Sequence, residues 1–370
     1  MAHVKQGTLK RDARFILGIA FVLTLIGLVF IYSSSSVFAL EKFGSSYYFL
    51  KKQVIFLIPS FAGFLMFVLI PLSFWKRFAP YCFLLALILT ILTLIPSLGL
   101  KVHGSYRWLR IGGISVQPSE VLKLFLIIYL GFFLEKKQDR ITSFVYGYLP
   151  FLIVLGITFI VLLKQPDFGS VVTLLSTTFI LLFVAEFKTI HLLLTVAAVV
   201  PLGILLVLKK AYRLNRILIF LNPWSDARGR GFQIIQSLIA IGSGSLWGVG
   251  ISYSKQKYFY LPMQHTDFIF SIIAEETGFI GSLVIISLYF LFCYFGLRVV
   301  LHLENTFARF TLLGFIVLIS LQAVINLMVA SGLLPTKGLG LPFISYGGTA
   351  LVIFWCMIGF LVASVREQRI

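Results

Sequence analysis

The chain has 370 residues, of which 59% are hydrophobic and only 12% are charged, and its mean hydropathy is +1.01. No water-soluble fold buries so large a share of apolar side chains, and apolar stretches that are continuous rather than alternating also exclude a membrane β-barrel. The net charge is +18, but the basic residues lie between apolar stretches, so we expect anionic lipid headgroups or a phosphate-bearing substrate as partners, and no nucleic acid.

Ten apolar segments predict ten membrane-spanning helices. A helix needs about 20 residues to cross the hydrocarbon layer, with a range near 17–25, so the fourth and sixth segments are short. Short spans are tolerated where polar residues at their ends face a cavity inside the helix bundle. The predicted spans are residues 15–35, 53–72, 78–100, 119–134, 144–163, 169–185, 190–208, 268–297, 307–332 and 343–365. The expected fold is therefore all-α, a polytopic membrane protein with one domain over residues 1–370.

The distribution of Lys and Arg among the short loops predicts the orientation of the chain. These residues are more numerous on the side of the N-terminus, which is therefore expected in the cytoplasm, and an even number of spans places the C-terminus there too. The first span lacks a small-x-small cleavage site and is expected to be retained. One long outer loop, at about residues 209–267, follows the seventh span. Its apolar runs, such as residues 234–241, are expected to form interfacial helices on the outer leaflet.

Polar residues cluster where the outer loop before the fourth span leads into that span. Pro118 suits the first turn of a helix, and Gln117 or Ser119 can satisfy free backbone donors there. Glu120 and Lys123 follow at positions i and i+3, on one face of the helix. One interpretation is an internal ion pair that holds the helix in register, since charges within a membrane usually pair. The other is that Lys123 presents a cation to an anionic ligand and Glu120 orients it.

The turn between the fifth and sixth spans carries another acid. Pro166 and Gly169 favour a tight turn, and Asp167 can cap the sixth span. Capping is one role for Asp167, and a contribution to a cavity on the outer side is the other.

Residues 334–348, just before the last span, are apolar but contain two prolines and four glycines, so they cannot form a regular helix. Irregular backbone at membrane depth must be buried in protein or line a wet cavity. Thr336, Lys337 and Ser345 are then expected to face that cavity. The alternative is an ordinary hairpin loop at the membrane interface.

Asp267 places a charge at the mouth of the eighth span. An ionisable group costs on the order of 2.5–3.5 kcal/mol at the bilayer centre, and less near the interface, which makes it a candidate for function. The neighbouring His265 belongs either to the same site or simply to the interface. Glu275 and Glu276 lie about 80° and about 180° from Asp267 around a helix. Both cannot face one cavity with Asp267, so at least one is expected to pair with another helix.

Four polar signatures, in this order and spacing, resemble those of the SEDS family of membrane proteins. They are residues 104–108 with 117–120, residues 165–169, residues 261–270 with 275–278, and residues 344–348. The resemblance covers nearly the whole chain and is closer to the FtsW branch of the family than to the RodA branch.

The resemblance implies a peptidoglycan glycosyltransferase of the bacterial inner membrane that polymerises lipid II for division or elongation. It also implies a class B penicillin-binding protein and other cell-wall or division proteins as partners. The family's essential aspartate falls on Asp267, its charged pair on Glu120 and Lys123, and its basic loop residue on Arg107. The other candidate substrate-binding residues are Lys337, Ser345, Gln117, Asp167, His265 and Thr266.

The implied reaction transfers a sugar from a lipid pyrophosphate to a sugar hydroxyl. A pyrophosphate leaves without being protonated, so one carboxylate and neutralising cations suffice. Asp267 is then the general base for inverting attack at the anomeric carbon, and Arg107, Lys123 and Lys337 hold the pyrophosphate, with or without Mg²⁺ or Mn²⁺. No compact cluster of ligands predicts a metal site held by the protein alone.

Two other functions fit a bundle of ten spans. One is a transporter that flips the same lipid, although the sequence has neither a convincing internal repeat nor paired broken spans in matching halves. The other is a scaffold that recruits cell-wall enzymes, with Asp267 merely capping its helix. The sequence has no Walker-type phosphate loop and no dinucleotide fingerprint, so none of these functions is expected to use ATP hydrolysis by this chain.

Overall fold

The computed structural model describes residues 2–102, 105–112, 114–208, 211–229, 231–258, 261–262, 264–336 and 338–368. Over these residues the chain forms twelve α-helices. They are α1 (Ala2–Phe43), α2 (Tyr48–Leu69), α3 (Leu72–Leu92), α4 (Pro118–Lys136), α5 (Leu149–Lys164), α6 (Phe168–Val184), α7 (Thr189–Leu208), α8 (Ala211–Leu221), α9 (Phe232–Ser243), α10 (Ile269–His302), α11 (Thr306–Ala330) and α12 (Gly348–Glu367).

Each of the ten predicted spans corresponds to a helix, α1 to α7 and α10 to α12. Seven helices in the described part of the chain are long and apolar enough to cross a membrane: α1, α2, α3, α5 with the π-helical turn before it, α10, α11 and α12. The helix α6 is shorter, with 17 residues, and α4 has charged side chains in its first two turns. The prediction of a helical, polytopic membrane protein is confirmed.

The predicted boundaries were wrong at several helix ends. The first helix extends from Ala2 to Phe43, well beyond predicted residues 15–35, because polar residues continue it past the apolar centre. The third helix ends at Leu92 instead of residue 100, since Pro96 disfavours helical conformation in the residue before it. The last helix begins only at Gly348, so residues 343–347 belong to the irregular segment before it.

A small antiparallel sheet joins α3 to α4, where the sequence pattern indicated only a loop. Its strands are β1 (Gly99–Val102), β2 (Ser105–Ile111) and β3 (Ile114–Val116), in the order β1-β2-β3. Trp108 pairs with Leu100 across the first ladder, and Arg110 pairs with Ser115 across the second. The all-α prediction therefore needs this sheet added.

Among the seven long apolar helices of the described ranges, α11 and α12 are the most deeply buried. The helix α4 contacts α3, α11 and α12, while α12 lies along α2 and α1 lies along α10. The predicted interfacial run at residues 234–241 is indeed helical, within α9. Its apolar side chains Ile234, Ile235 and Ala240 are buried, and the helix packs against α10 and α11.

The helix α10 consists of two segments joined at Gly278, whose backbone is non-helical with φ 69° and ψ −163°. A positive φ favours glycine, and a Cβ at this position would lie 2.4 Å from the backbone nitrogen of Gly248. The break leaves the carbonyls of Glu275 and Glu276 able to accept hydrogen bonds from Val249 N (3.0 Å) and Gly250 N (3.1 Å). The long loop is thereby docked on the wall of α10.

Small residues allow the spans to approach closely, as is common in membrane helix packing. A Cβ on Gly359 of α12 would lie 2.5 Å from the carbonyl oxygen of Phe64 in α2. In contrast, a Cβ on Gly18 of α1 would have no described atom within 4 Å.

We expect Gly359→Ala to destabilise the protein by about 1–3 kcal/mol, because the added methyl meets backbone that must move. Gly18→Ala serves as the matched control, and its thermal unfolding midpoint in detergent should equal or slightly exceed that of the wild type. Equal midpoints for the two variants would show that the α2–α12 contact is looser than described.

Candidate active site

A cavity of about 480 Å³ opens among α2, β2, α4, α6, α11 and α12 and the two irregular segments that precede α10 and α12. This volume lies within the range of small-molecule sites. Eight of the candidate residues from the sequence line it: Arg107, Gln117, Glu120, Asp167, His265, Thr266, Asp267 and Ser345. Lys123 lies behind Glu120, and Lys337 lies outside the described residues. Residues that are distant in sequence are thus brought to one site.

Asp267 lies two residues before α10 and is half-buried in the wall of the cavity. The irregular segment before α12 passes opposite it, so that a Cβ on Gly338 would lie 3.7 Å from Asp267 Oδ2. This agrees with the prediction that residues 334–348 line a cavity: seven of their described residues besides Gly338 do so, Ser345 among them. Thr336, which was expected to face the cavity, is not one of them. The carboxylate and the irregular backbone therefore face one another.

The backbone around Asp267 is held by three consecutive carbonyl groups. The carbonyl of His265 accepts from Tyr346 N (2.9 Å), and that of Thr266 accepts from Ser345 Oγ (2.6 Å). The carbonyl of Asp267 itself accepts from Asn326 Nδ2 of α11 (2.8 Å). Asp267 is therefore positioned by α11 and by the segment before α12 together.

Ser345 has a structural role in this arrangement. Besides donating to the carbonyl of Thr266, its Oγ accepts a hydrogen bond from Leu341 N (2.7 Å). The hydroxyl closes the irregular segment on itself and joins it to the turn before α10. Its contacts are to backbone on both sides, so its contribution to the site is to fix geometry.

Sequence reasoning missed Gln322 and Asn326, two buried amides on α11. Gln322 Nε2 donates to the carbonyl of Gly340 (2.9 Å), and Asn326 Nδ2 donates to the carbonyl of Leu339 (2.6 Å) as well as to that of Asp267. The signal that could have found them is an amide pair at i and i+4 within an apolar span, where polar side chains are costly.

Glu120 and Lys123 form the predicted internal ion pair, with Lys123 Nζ 2.7 Å from Glu120 Oε1. Glu120 lines the cavity, whereas Lys123 is only 1% exposed and lies behind it. Of the two residues, therefore, Glu120 and not Lys123 belongs to the cavity wall. The positive charge of Lys123 acts on the cavity through its partner.

Arg107 latches β2 to the turn between α5 and α6. Its Nε donates to the carbonyl of Gln165 (2.9 Å), its Nη2 donates to that of Pro166 (2.6 Å), and its Nη1 lies 3.9 Å from Asp167 Oδ1. Asp167 caps α6 as predicted, accepting from Ser170 N (3.3 Å) and Ser170 Oγ (2.9 Å). It also lines the cavity, so both roles considered for Asp167 are compatible.

His265 is packed among aromatic rings in the wall of the cavity. Its ring centroid lies 4.3 Å from that of Phe49 and 5.7 Å from that of Tyr346. Its Nδ1 is buried and has no hydrogen-bond partner in the described part of the chain. Burial lowers the pKa of His265 to about 4, so the ring is neutral at physiological pH.

Glu275 and Glu276 form a separate buried cluster away from the cavity. Glu276 accepts from Ser33 Oγ of α1 (2.6 Å) and lies 3.9 Å from Lys257 Nζ. Glu275 accepts from Ser254 Oγ and from Lys255 N (3.0 Å). The prediction that at least one of the two pairs with another helix is confirmed. Both acids anchor the outer loop.

Burial lowers the pKa of Lys257 below its usual range, although the carboxylates of Glu276 and Glu275 raise it. The carbonyl of Lys257 accepts a hydrogen bond from Nε2 of Gln264 (3.2 Å), and Gln264 lies three residues before Asp267. The cluster therefore connects along the outer loop to the turn that carries Asp267.

No group of three His, Cys, Asp or Glu side chains in the described ranges is arranged to hold a metal ion. The three cysteines are free and lie in α3, α10 and α12. The carboxylates of the cavity already have protein partners in the case of Glu120 and Asp167.

Comparison with known proteins identifies relatives over nearly the whole chain. Residues 13–370 match the family of cell cycle proteins designated FTSW_RODA_SPOVE. The chain is 46% identical over 340 residues to a protein of Trichlorobacter lovleyi named "Probable peptidoglycan glycosyltransferase FtsW", covering 92% of this chain and 89% of that protein. It is 38% identical over 353 residues to stage V sporulation protein E of Bacillus subtilis, covering 95% of this chain and 96% of that protein.

Solved structures have a similar fold. A chain in a structure described as a peptidoglycan synthase complex that coordinates polymerization and crosslinking superposes with a TM-score of 0.77 at 28% identity, covering 95% of this chain and 97% of that chain. The crystal structure of Thermus thermophilus rod shape determining protein RodA superposes with a TM-score of 0.71 at 25% identity, covering 96% and 97%.

The low pKa of His265 predicts a pH-dependent stability. Because the folded-state pKa is near 4 and the ordinary value is 6.5, the unfolded chain binds the proton first as the pH falls. The contribution of the neutral His265 ring to the free energy of unfolding is fully present above pH 6.5. It is lost as the pH falls from 6.5 to about 4, and the loss is about 3 kcal/mol at most.

His265→Phe, which preserves the packing on Phe49, should lose less stability between pH 7 and pH 4.5 than the wild type, as measured by thermal unfolding in detergent. His302→Phe, at an exposed histidine on α10, is the control and should follow the wild type. Parallel pH profiles for the wild type and His265→Phe would contradict a buried neutral ring.

Proposed function

The chain belongs to the FtsW, RodA and SpoVE family of cell cycle proteins, and from this premise we propose that it is a peptidoglycan glycosyltransferase that polymerises lipid II, with Asp267 as the general base. The family is the one that the four sequence motifs predicted, and the FtsW names of its relatives agree with the predicted branch. The observation that carries the catalytic proposal is the cavity that gathers Asp267 with Arg107, Glu120 and Asp167.

The reaction needs one base at the reacting hydroxyl. Asp267 takes the proton from the acceptor hydroxyl while the oxygen of that hydroxyl forms a bond to the anomeric carbon of the donor. The bond from that carbon to the phosphate oxygen breaks with inversion, and the lipid pyrophosphate leaves. The hydrogen bonds to the backbone carbonyls of residues 265–267 hold in place the turn that carries the carboxylate.

Charge on the departing pyrophosphate needs neutralisation more than a proton. Arg107 lines the cavity, and three nitrogens of its guanidinium contact residues 165–167. Its five N–H groups exceed the donors that these contacts use. Lys337 stays in the proposal from the sequence alone. Lys123 contributes by balancing the charge of Glu120, and Gln117 and Thr266 complete the polar wall.

A divalent cation is compatible with this site through the substrate. Mg²⁺ is typically bound by one or two carboxylates together with substrate phosphates, and Asp267 beside a pyrophosphate fits that pattern. Such an ion, or Mn²⁺, would supply further charge neutralisation when bound.

The chain is a polytopic membrane protein, and we place it in the bacterial inner membrane with both termini in the cytoplasm. We propose a class B penicillin-binding protein as its partner, which would crosslink the strands that this chain makes. Support comes from the similar chain in the structure of a peptidoglycan synthase complex. The FtsW relatives favour a role in division, alongside other division proteins.

Polymerisation of purified lipid II in detergent tests the function. Glycan chains indicate an enzyme. Translocation of lipid II in liposomes without any product chains would instead indicate a flippase, and neither activity would leave a scaffold. The cavity with Asp267, Glu120 and Asp167 in its wall favours the enzyme.

Asp267→Asn should abolish polymerisation, with a loss on the order of 10²–10⁴-fold, because a carboxamide cannot accept the proton. The variant should retain the thermal unfolding midpoint of the wild type. Asp139→Asn, at an exposed acid outside the cavity, is the control and should keep full activity. Normal chain formation by Asp267→Asn would remove Asp267 from the mechanism.

If a cation joins the substrate at Asp267, a chelator should slow polymerisation by the wild type, and Mg²⁺ or Mn²⁺ should restore it. The thermal unfolding midpoint without substrate should not respond to the chelator, since the ion depends on the pyrophosphate. A rate that is unchanged at all chelator concentrations would contradict the cation proposal and leave the role of Asp267 intact.

A further inference from the structure

The helix α11 brings two amide side chains into the bundle, Gln322 and Asn326. They lie one helical turn apart and are only 3% and 2% exposed. Polar side chains at this depth are costly, so each of their donors and acceptors should have a use.

The hydrogen bonds fix which way each amide faces. Gln322 Nε2 donates to the carbonyl of Gly340, and Asn326 Nδ2 donates to the carbonyls of Leu339 and Asp267. A carbonyl oxygen can only accept, so the amide nitrogen must face it and the amide oxygen must point elsewhere. The orientation of both side chains is therefore determined by their neighbours.

The two amides differ in their relation to the cavity. Gln322 Oε1 and Asn326 Oδ1 are both buried, and neither has a hydrogen-bond partner within the described ranges. Gln322 lines the cavity, whereas Asn326 is not among the described residues that do. A ligand in the cavity can therefore satisfy the acceptor of Gln322, while Asn326 holds the backbone of Asp267.

We propose that Gln322 is a substrate-binding residue whose Oε1 accepts a hydrogen bond from a hydroxyl or an acetamido N–H of the saccharide. This rests on the proposed function and names the part of the substrate that the cavity recognises. An acceptor cannot bind the unprotonated oxygens of a pyrophosphate, and the sugar is the part of the substrate that offers hydroxyl and N–H donors next to the reacting carbon. Glu120 Oε2, also in the cavity wall and also without a hydrogen bond among the described residues, gives the wall a second acceptor.

The position of Gln322 relates the sugar to the reacting group. Asn326 bonds to the backbone of Asp267, and Gln322 lies one turn closer to the start of α11. Gln322 and Asn326 are four residues apart, about 6 Å along the helix axis, so the residue that binds the sugar lies about one turn from the residue that holds Asp267. Gln322 orients one sugar of the reaction, either the acceptor or the donor, while Asp267 acts on the hydroxyl of the acceptor.

The test combines variants of the protein with variants of the substrate. Steady-state polymerisation is measured with lipid II and with analogues in which one sugar hydroxyl or acetamido group at a time is replaced by hydrogen. Gln322→Met, which keeps the length and loses the acceptor, should lower kcat/KM for lipid II by about tenfold. For the wild type, one analogue should react about tenfold more slowly than lipid II. For Gln322→Met, that analogue and lipid II should react at the same rate.

Two further variants separate recognition from structure. Gln322→Glu keeps an acceptor and should still discriminate against that analogue, even though it loses the bond to Gly340. Asn326→Leu should lower kcat by one common factor for every substrate, because it disturbs the position of Asp267. Ser320→Ala, on the same helix and not among the described residues of the cavity wall, should match the wild type.

The outcomes are distinct. If Gln322→Met loses the same factor on lipid II and on every analogue, Gln322 only supports the fold and the proposal is overturned. If Gln322→Met does not fold, a Gln322→Glu variant that fails to discriminate overturns it instead. If the wild type makes no glycan at all, the proposed function fails first, and the role of Gln322 fails with it.

Discussion

Two irregular stretches of backbone satisfy each other at membrane depth, and the site depends on this exchange. Backbone that leaves a helix within a membrane must find partners inside the protein. The carbonyls of residues 265–267 receive bonds from Tyr346, Ser345 and Asn326, and the same Asn326 also binds the segment before α12. Each stretch therefore supports the conformation of the other. The acid is consequently fixed by tertiary structure and not by its own helix.

The outer loop is secured at a second place by charge. Glu275 and Glu276 are buried, with the ammonium group of Lys257 near Glu276. They accept hydrogen bonds from the hydroxyl groups of Ser33 and Ser254 and from the backbone nitrogen of Lys255. Removing one partner from such a group would leave a buried charge uncompensated, which costs more than the pair itself contributes. The loop is thus held at both ends of the stretch that leads to Asp267, by ionic contacts at one end and by backbone bonds at the other.

The sequence predicted those features that depend on composition or on local spacing. The ten helices, the cap at Asp167, the pair between Glu120 and Lys123 and the irregular segment before α12 all follow from such rules. Spacing of i and i+3 shows that two residues meet, but it cannot show which of them faces a cavity. The sequence therefore did not predict that Glu120, and not Lys123, lines the cavity. The sheet β1–β3 was missed because its strands are short, and Gln322 because its partners lie on another segment.

The break in α10 at Gly278 divides that helix into two parts with different surroundings. Phe279, Leu283 and Phe290 follow the break and are exposed on the apolar surface, whereas Phe268 to Glu276 before it are buried. Because the helix is interrupted at Gly278, the direction of Asp267 is not set by the part of α10 that follows the break. Selection can therefore change the exposed side chains after the break, for a thicker bilayer or a new neighbouring helix, without changing the residues that line the cavity.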